Sequence, residues 1–161
     1  MQKFIGVKFV EAKPMTRGKY NEYRGWKLPE DEKAIDSGCL VRYASGYESW
    51  CPIGEFMKSN MPFTDGNSVT QKDVDKFIGS YSVNNLQVGG VNKTTMATAI
   101  LINGFIIHET STCIDPKNYD EVVGAGICKK KIQDKVWGYL DFLLQCSMNG
   151  FRHPLAVKEV G

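Results

Sequence analysis

The sequence predicts an α+β protein of two small lobes, built from antiparallel β-hairpins and a meander with a long C-terminal helix. Three observations carry that reading. Two apolar, β-branched runs, residues 97–101 and 105–112, flank Asn103-Gly104, and Asn-Gly between such runs is the strongest short hairpin signal. A second pair of runs, residues 40–43 and 47–50, flanks Ala44-Ser45-Gly46, a short loop with glycine available for a left-handed position. Beyond Asp115-Pro116 a helical pattern continues to Gln145, and aspartate followed by proline reads as a helix start. The cluster of Pro, Asp, Gly, Asn and Ser over residues 62–67 marks the linker. The expected division is a β-rich module with a short helix at 1–63, a meander with the long helix at 68–148, and a tail at 149–161.

Composition bounds the function classes. A chain of 161 residues with 42% hydrophobic and 24% charged residues is of globular type. It is long enough to bury a core without covalent staples. No apolar run approaches the length of a membrane span, and the start MQKFIGVKF lacks a signal-peptide core, so a cytosolic protein is expected. The net charge of +2 is too weak to announce a nucleic-acid binder. Five cysteines occur, none spaced C-x-x-C. That argues against a zinc site and for reduced thiols in a reducing compartment.

In chain order, residues 4–12 (FIGVKFVEA) read as a strand ended by Pro14. A long connection follows, carrying Tyr20, Tyr23 and Trp26. These aromatics either pin the loop to the body or form a ligand-facing patch. The 38–50 hairpin leads to Pro52 and a two-turn helix at 53–59, with Phe56 and Met57 expected to face inward. Thr70 opens the next helix, with Asp73 three residues on as a capping-box partner. Val74, Phe77 and Ile78 supply its apolar face, and Gly79 ends it. Residues 80–88 form a strand turned by Gly89-Gly90 into the hairpin described first. The result is a three-stranded antiparallel meander.

On a helical wheel from Tyr119, at about 100° per residue, Val122, Val123, Ile127, Trp137, Leu140 and Leu144 fall in one arc. Ile132, Val136, Tyr139 and Leu143 fall in a second, and Lys129-Lys130-Lys131 interrupts the apolar pattern. Either the helix breaks near its glycines or lysines, or its C-terminal half is covered on two sides, one of them by another subunit. The second alternative is preferred and predicts a homo-oligomer. In the tail, Gly150 is a C-cap candidate, and Arg152-His153 belong to a polar end segment.

No nucleophile-elbow, zinc-protease, phosphate-loop or dinucleotide fingerprint occurs. Lys93-Thr94-Thr95 resembles the end of a phosphate loop but enters a strand rather than a helix. His108 and Cys113 are an odd five residues apart, so along a strand they face opposite sides. The chain is therefore expected not to be an enzyme and to need no metal and no cofactor.

The segment NGFIIHETSTCIDPKNYDEVVGAGICKKKIQDKVWGYLDFLLQ resembles the C-terminal pattern of a family of small tailed-phage accessory proteins. The residues that carry the likeness include Asn103, Gly104, Phe105, Ser111, Cys113, Asp115, Pro116, Asn118, Tyr119, Asp120, Gly124, Cys128, Trp137 and Gln145. Through that family it is similar to the type-one Thoeris anti-defence proteins, phage sponges that sequester cyclic ADP-ribose isomers, some of which also bind cyclic oligonucleotides. The first 60 residues resemble a separate module at the front of various small phage proteins, with Cys51 where serine is more usual. The resemblance implies non-enzymatic sequestration of a cyclic nucleotide in the cytoplasm of an infected bacterium. The partners it implies are the small molecule and further copies of the chain, with no membrane and no nucleic acid. Such a ligand asks for cations, hydroxyl or N–H donors and an aromatic platform. The candidates are Lys93, Asn103, Phe105, Ser111, Thr112, Asn118, Tyr119 and Lys131. The alternative is an accessory protein that binds and inhibits a host protein, with Tyr20, Tyr23 and Trp26 as its contact residues.

Overall fold

The computed structural model describes residues 1–151. The predicted tail beyond Phe151, with Arg152, His153 and Pro154, lies outside the described residues. The fold is α+β: two three-stranded antiparallel sheets and four helices, the last of them 29 residues long. Two compact units divide the chain, Met1–Pro62 with the end of the chain from Cys146, and Phe63–Gln145.

The first unit is built on the sheet β1(Val10–Pro14), β2(Gly38–Tyr43) and β3(Glu48–Pro52), in that spatial order. The strand expected at 4–12 starts later and runs through Pro14, whose missing N–H is tolerated on an edge strand. The connection expected to be irregular contains helix α1(Arg17–Arg24). Its signals were present in the sequence. The Thr16 hydroxyl accepts from the Lys19 N–H, and Gly25 closes the helix at φ 70°, the left-handed position that glycine occupies without Cβ strain. Two aromatics of that segment differ in burial. Tyr20 is in the core, whereas Trp26, set edge-on to it with ring centroids 6.0 Å apart, is half exposed. Arg17 joins α1 to the following loop: its Nη2 donates to Glu32 Oε1 at 2.6 Å, and its guanidinium lies 5.0 Å from the Trp50 ring. Trp50 in turn donates from Nε1 to the Met15 carbonyl at 2.8 Å. Gly38 is required beneath it, because a Cβ there would overlap the Trp50 ring and the Cys51 carbonyl. Helix α2(Ile53–Ser59) forms where expected, but only Phe56 is partly covered. Met57 is exposed, so its expected inward orientation is corrected: a two-turn helix with no fully buried residue has room for one anchor.

The second unit opens with α3(Gln71–Phe77). The capping box is complete, and Asp73 goes beyond it. Its buried carboxylate accepts from the N–H and hydroxyl of Thr70 and from the N–H and hydroxyl of Thr64. Burial alone would raise the Asp73 pKa, but these four bonds outweigh it and hold the pKa at about 2. The helix ends at Phe77 and the chain passes directly into β4(Ile78–Val88), followed by β5(Val91–Leu101) and β6(Ile106–Thr112). Gly89 and Gly90 both take positive φ, the requirement of a type I′ turn. The Asn103-Gly104 hairpin differs from expectation. Gly104 alone has positive φ, the Gly104 N–H donates to the Leu101 carbonyl at 2.8 Å, and the Leu101 N–H donates to the Phe105 carbonyl at 2.8 Å. That is a three-residue loop with glycine at the left-handed position. Asn103 serves it through its side chain, which accepts from the Phe105 N–H at 3.0 Å.

The long helix, α4(Glu121–Asn149), starts later than Asp115-Pro116 suggested. Those residues instead form a single 3-10 turn, Pro116–Asn118, capped by Asp115. The α-helix is capped by Asp120, whose carboxylate accepts from the Val122 and Val123 N–H groups at 2.8 and 3.1 Å. It runs unbroken and ends at Gly150, φ 70°, which donates to the Cys146 carbonyl. Its buried positions take Leu140 and Leu144 from the first expected arc and Ile132 and Val136 from the second. Gly124 and Cys128 join them into a row at every fourth residue, with Cys146 buried beyond the row. Such a row is an i±4 ridge, inclined by roughly 26° to the helix axis, and it follows a twisted sheet better than a straight stripe does. Val122, Val123 and Ile127 are exposed instead. Within this unit the row meets the inner face of the sheet, where β5 presents Thr95, Ala97, Ala99 and Leu101. Small residues on both partners bring the backbones close. Gly124 lies against Thr95 so tightly that a Cβ would overlap its hydroxyl, and the Cys128 thiol lies 3.5 Å from the Thr95 carbonyl.

Candidate ligand-binding surface

Two of the eight predicted residues fall on one surface of the second unit, where α4 runs beside the outer strand β6. Lys131 Nζ donates to the Thr110 carbonyl at 2.8 Å. One turn on, Lys135 is ion-paired with Glu109, and that partner holds the lysine above its usual pKa despite the opposing effect of desolvation. One further turn on, Tyr139 meets Phe105 edge-on, with ring centroids 5.8 Å apart. Lys131, Lys135 and Tyr139 thus form a four-residue-spaced strip about 12 Å long, at ~1.5 Å rise per residue. It ends in an aromatic pair of which Phe105 is 54% and Tyr139 43% exposed as whole residues. The strip sets a lysine held by a backbone carbonyl and a lysine paired with a carboxylate beside accessible aromatic surface. Lys135, Glu109 and Tyr139 were not among the predicted residues. The missed signal is the four-residue spacing onward from Lys131.

The remaining predicted residues sit elsewhere. Asn103 holds the β5–β6 loop, as above. Ser111 stands opposite Thr95 in the sheet register and is half-buried. The Thr112 hydroxyl lies 3.1 Å from that of Thr94 on the opposite sheet face. The Lys93 carbonyl accepts from the Cys113 N–H at 2.8 Å, and Asn118 closes the 3-10 turn with an exposed side chain. Tyr119 anchors that turn to the sheet: its hydroxyl donates to Asn85 Oδ1 at 2.6 Å and receives the Thr95 hydroxyl at 2.9 Å. From Lys93 to Leu101 is eight residues of strand, about 27 Å at ~3.4 Å each. No single small messenger spans the Lys93–Tyr119 end and the Phe105 end together. Two open cavities, of about 350 and 520 Å³, lie in the first unit, lined among others by Arg17 and Trp50 and by Lys8, Tyr43 and Tyr47. None of the eight residues lines either.

His108 and Cys113 have separate partners. His108 Nδ1 is 2.9 Å from the Thr98 hydroxyl, and the Cys113 thiol donates to the Asp115 carbonyl at 3.0 Å. Among the described residues no group of three or more His, Cys, Asp or Glu side chains is arranged to hold a metal. Among the described residues no helix is long and apolar enough to cross a membrane.

The sheet-and-helix unit that carries the strip is thus of a kind shared with other proteins. Residues 69–148 match the model of the phage protein (N4 Gp49/phage Sf6 gene 66) family. The match places this segment in a small phage protein family and supports a bacteriophage origin for the chain. No curated protein and no solved structure matches the chain.

Proposed function

We propose that the protein is a phage-encoded counter-defence protein that binds and sequesters a nucleotide immune messenger, a cyclic ADP-ribose isomer or a cyclic oligonucleotide, without turnover. The observation that carries this reading is the strip of Lys131, Lys135, Tyr139 and Phe105 on one exposed side of α4. The phosphates sit against the lysines and the adenine against the aromatic pair. The phage-family match supports the setting. The protein acts as a homo-oligomer in the host cytoplasm. The apolar residues that α4 leaves exposed at Phe142 and Leu143 supply the contact, and light scattering gives at least twice 18.0 kDa. A clean monomer contradicts the assembly.

Calorimetry with a panel of cyclic nucleotides tests the binding. Lys131→Ala removes a charge-assisted bond worth about 1.5–3 kcal/mol, so affinity falls roughly tenfold to a hundredfold. Heating the complex and analysing what returns separates the function classes: unaltered messenger marks a sponge, altered messenger an enzyme. No heat and no thermal shift across the panel ends the reading.

A second reading, binding and inhibition of a host protein, is favoured by one observation in the first unit. Tyr23 and Trp26 are 54% and 53% exposed, and Arg24 lies 4.8 Å from the Trp26 ring. Tyr, Trp and Arg are the residue types that dominate protein–protein hot spots.

A further inference from the structure

We propose that Cys39 and Cys51 form a redox modification site, a cross-strand dithiol in the first unit that a small-molecule disulfide converts into an intramolecular bridge. The two cysteines face each other directly in the β2–β3 register. The ladder fixes the kind of pair they make. The Ile53 N–H donates to the Ser37 carbonyl at one end, and the Tyr43 N–H to the Tyr47 carbonyl at the other. Hydrogen-bonded pairs recur at every second position of an antiparallel ladder. Residues 37/53, 39/51, 41/49 and 43/47 are therefore the hydrogen-bonded pairs, with Cα atoms about 5.5 Å apart. That Cα spacing lies inside the range of roughly 4.4–6.8 Å that a disulfide spans. The Cβ atoms of a hydrogen-bonded pair, however, sit at the wide end of ~4.5–5.5 Å and must close toward the roughly 3.5–4.5 Å of a relaxed bridge, so the bridge is a strained and readily reduced one. Directly opposed residues also project from the same sheet face.

The other three thiols are placed differently. Cys113 donates to the Asp115 carbonyl, Cys128 is buried against Thr95, and Cys146 is buried near the end of α4. None of them has a cysteine opposite it in a strand register.

Exposure sets the order of events. Cys39 is 4% exposed, and burial pushes its thiol pKa up, as does the neighbouring Cys51. Cys51 is only half-buried. The Cys51 thiolate attacks one sulfur of the external disulfide and expels the first thiolate, leaving a mixed disulfide on Cys51. The Cys39 thiolate then attacks the Cys51 sulfur and expels the second. Two protein thiols are oxidised, one small disulfide is reduced to two thiols, and the two protons leave with them. The bridge pins β2 to β3 beside Trp50, the residue that holds Arg17 and Met15. Oxidation therefore stiffens the first unit's sheet and leaves the other three thiols untouched.

The test uses the full reduced chain and oxidised glutathione, followed by alkylation, digestion and mass spectrometry. The expected product is one Cys39–Cys51 bridged peptide pair, with Cys113, Cys128 and Cys146 alkylated. In denaturant the same oxidant gives scrambled pairings among all five cysteines, so selectivity in native buffer reports the folded register. Cys39→Ser retains a glutathione adduct on Cys51, and Cys51→Ser reacts at least tenfold more slowly than the wild-type chain. The proposal is overturned if native wild-type protein forms no bridge, or scrambles as it does in denaturant. It is equally overturned if the Cys39→Ser chain, folded by circular dichroism, carries its adduct on another cysteine.

Discussion

The two sheets share a plan and differ in how they are covered. Both are antiparallel, both are ordered first strand to third, and each has a hairpin with the same three-residue loop. The Gly46 N–H donates to the Tyr43 carbonyl and the Tyr43 N–H to the Tyr47 carbonyl, as Gly104, Leu101 and Phe105 do in the second unit. Gly46 and Gly104 have the same φ of 83°. The coverings diverge. In the first unit, large polar side chains lock the sheet to its surroundings: Arg17 between Glu32 and Trp50, and Trp50 on the Met15 carbonyl. In the second, a helix lies close over alanines and threonine, through a glycine and a cysteine. In one sheet the directional bonds of Arg17 and Trp50 supplement a small core of Tyr20, Cys39, Leu40 and Val41, whereas the other is covered mainly by apolar packing of the helix. The difference teaches that loop chemistry fixes a hairpin, while its partner decides what kind of mutation breaks it.

The largest expected effect is in the second unit. Ile132 is fully buried, and Ile132→Ala removes three heavy atoms from a packed row, costing about 3–4 kcal/mol in a urea titration. Hydrogen exchange should accelerate first in β4–β6. If β1–β3 loses protection equally, the contrast between the sheets is wrong.

Gly38→Ala comes next, at about 2–3 kcal/mol, because overpacking here meets a ring and a backbone carbonyl rather than a flexible chain end. Its exchange signature belongs to β1–β3. An unchanged thermal midpoint would show that Trp50 moves freely and is not the anchor described above.

Asp73 offers a pH test. Its folded pKa of about 2 lies below the unfolded value near 3.8. The carboxylate's contribution is therefore present above about pH 4 and is lost as pH falls toward 2. Asp73→Asn should flatten that part of a pH titration of stability and cost about 2 kcal/mol at neutral pH, since an amide cannot accept all four donors. The smallest effect is expected for Lys131→Ala, which loses an exposed contact to Thr110 and should change stability by under ~0.5 kcal/mol. A large loss there would make Lys131 part of the scaffold rather than of a binding surface.

The β elements were legible where local chemistry decided them. Gly89-Gly90, Gly46 and the Thr70–Asp73 box each depend on residues within four positions. Helix α1 was hidden because its polar sequence carries no apolar stripe, although Thr16 and Gly25 mark its ends. The start of α4 was misplaced because Asp115 and Asp120 are both good caps, and the choice between them rests on Tyr119 reaching Asn85, 34 residues back. The buried row of α4 escaped the wheel because a fixed arc does not represent a ridge that drifts by about 40° every fourth residue. For the candidate site, residue type pointed to Phe105 and Lys131. Only the packing of α4 beside β6 added Tyr139 and Lys135 and separated them from Lys93, Asn118 and Tyr119.

The hydrogen bonds of Asp73 have a bearing on genetic exchange. The family match begins at residue 69, yet two of the four donors to Asp73 belong to Thr64. A recombination joint falling between Thr64 and Val69 would graft the helix and sheet onto a new leader and strip half the donors from a buried carboxylate. A joint before Phe63 carries the whole set across. A crossover that spares the few residues ahead of the matched segment keeps all four donors of the buried carboxylate.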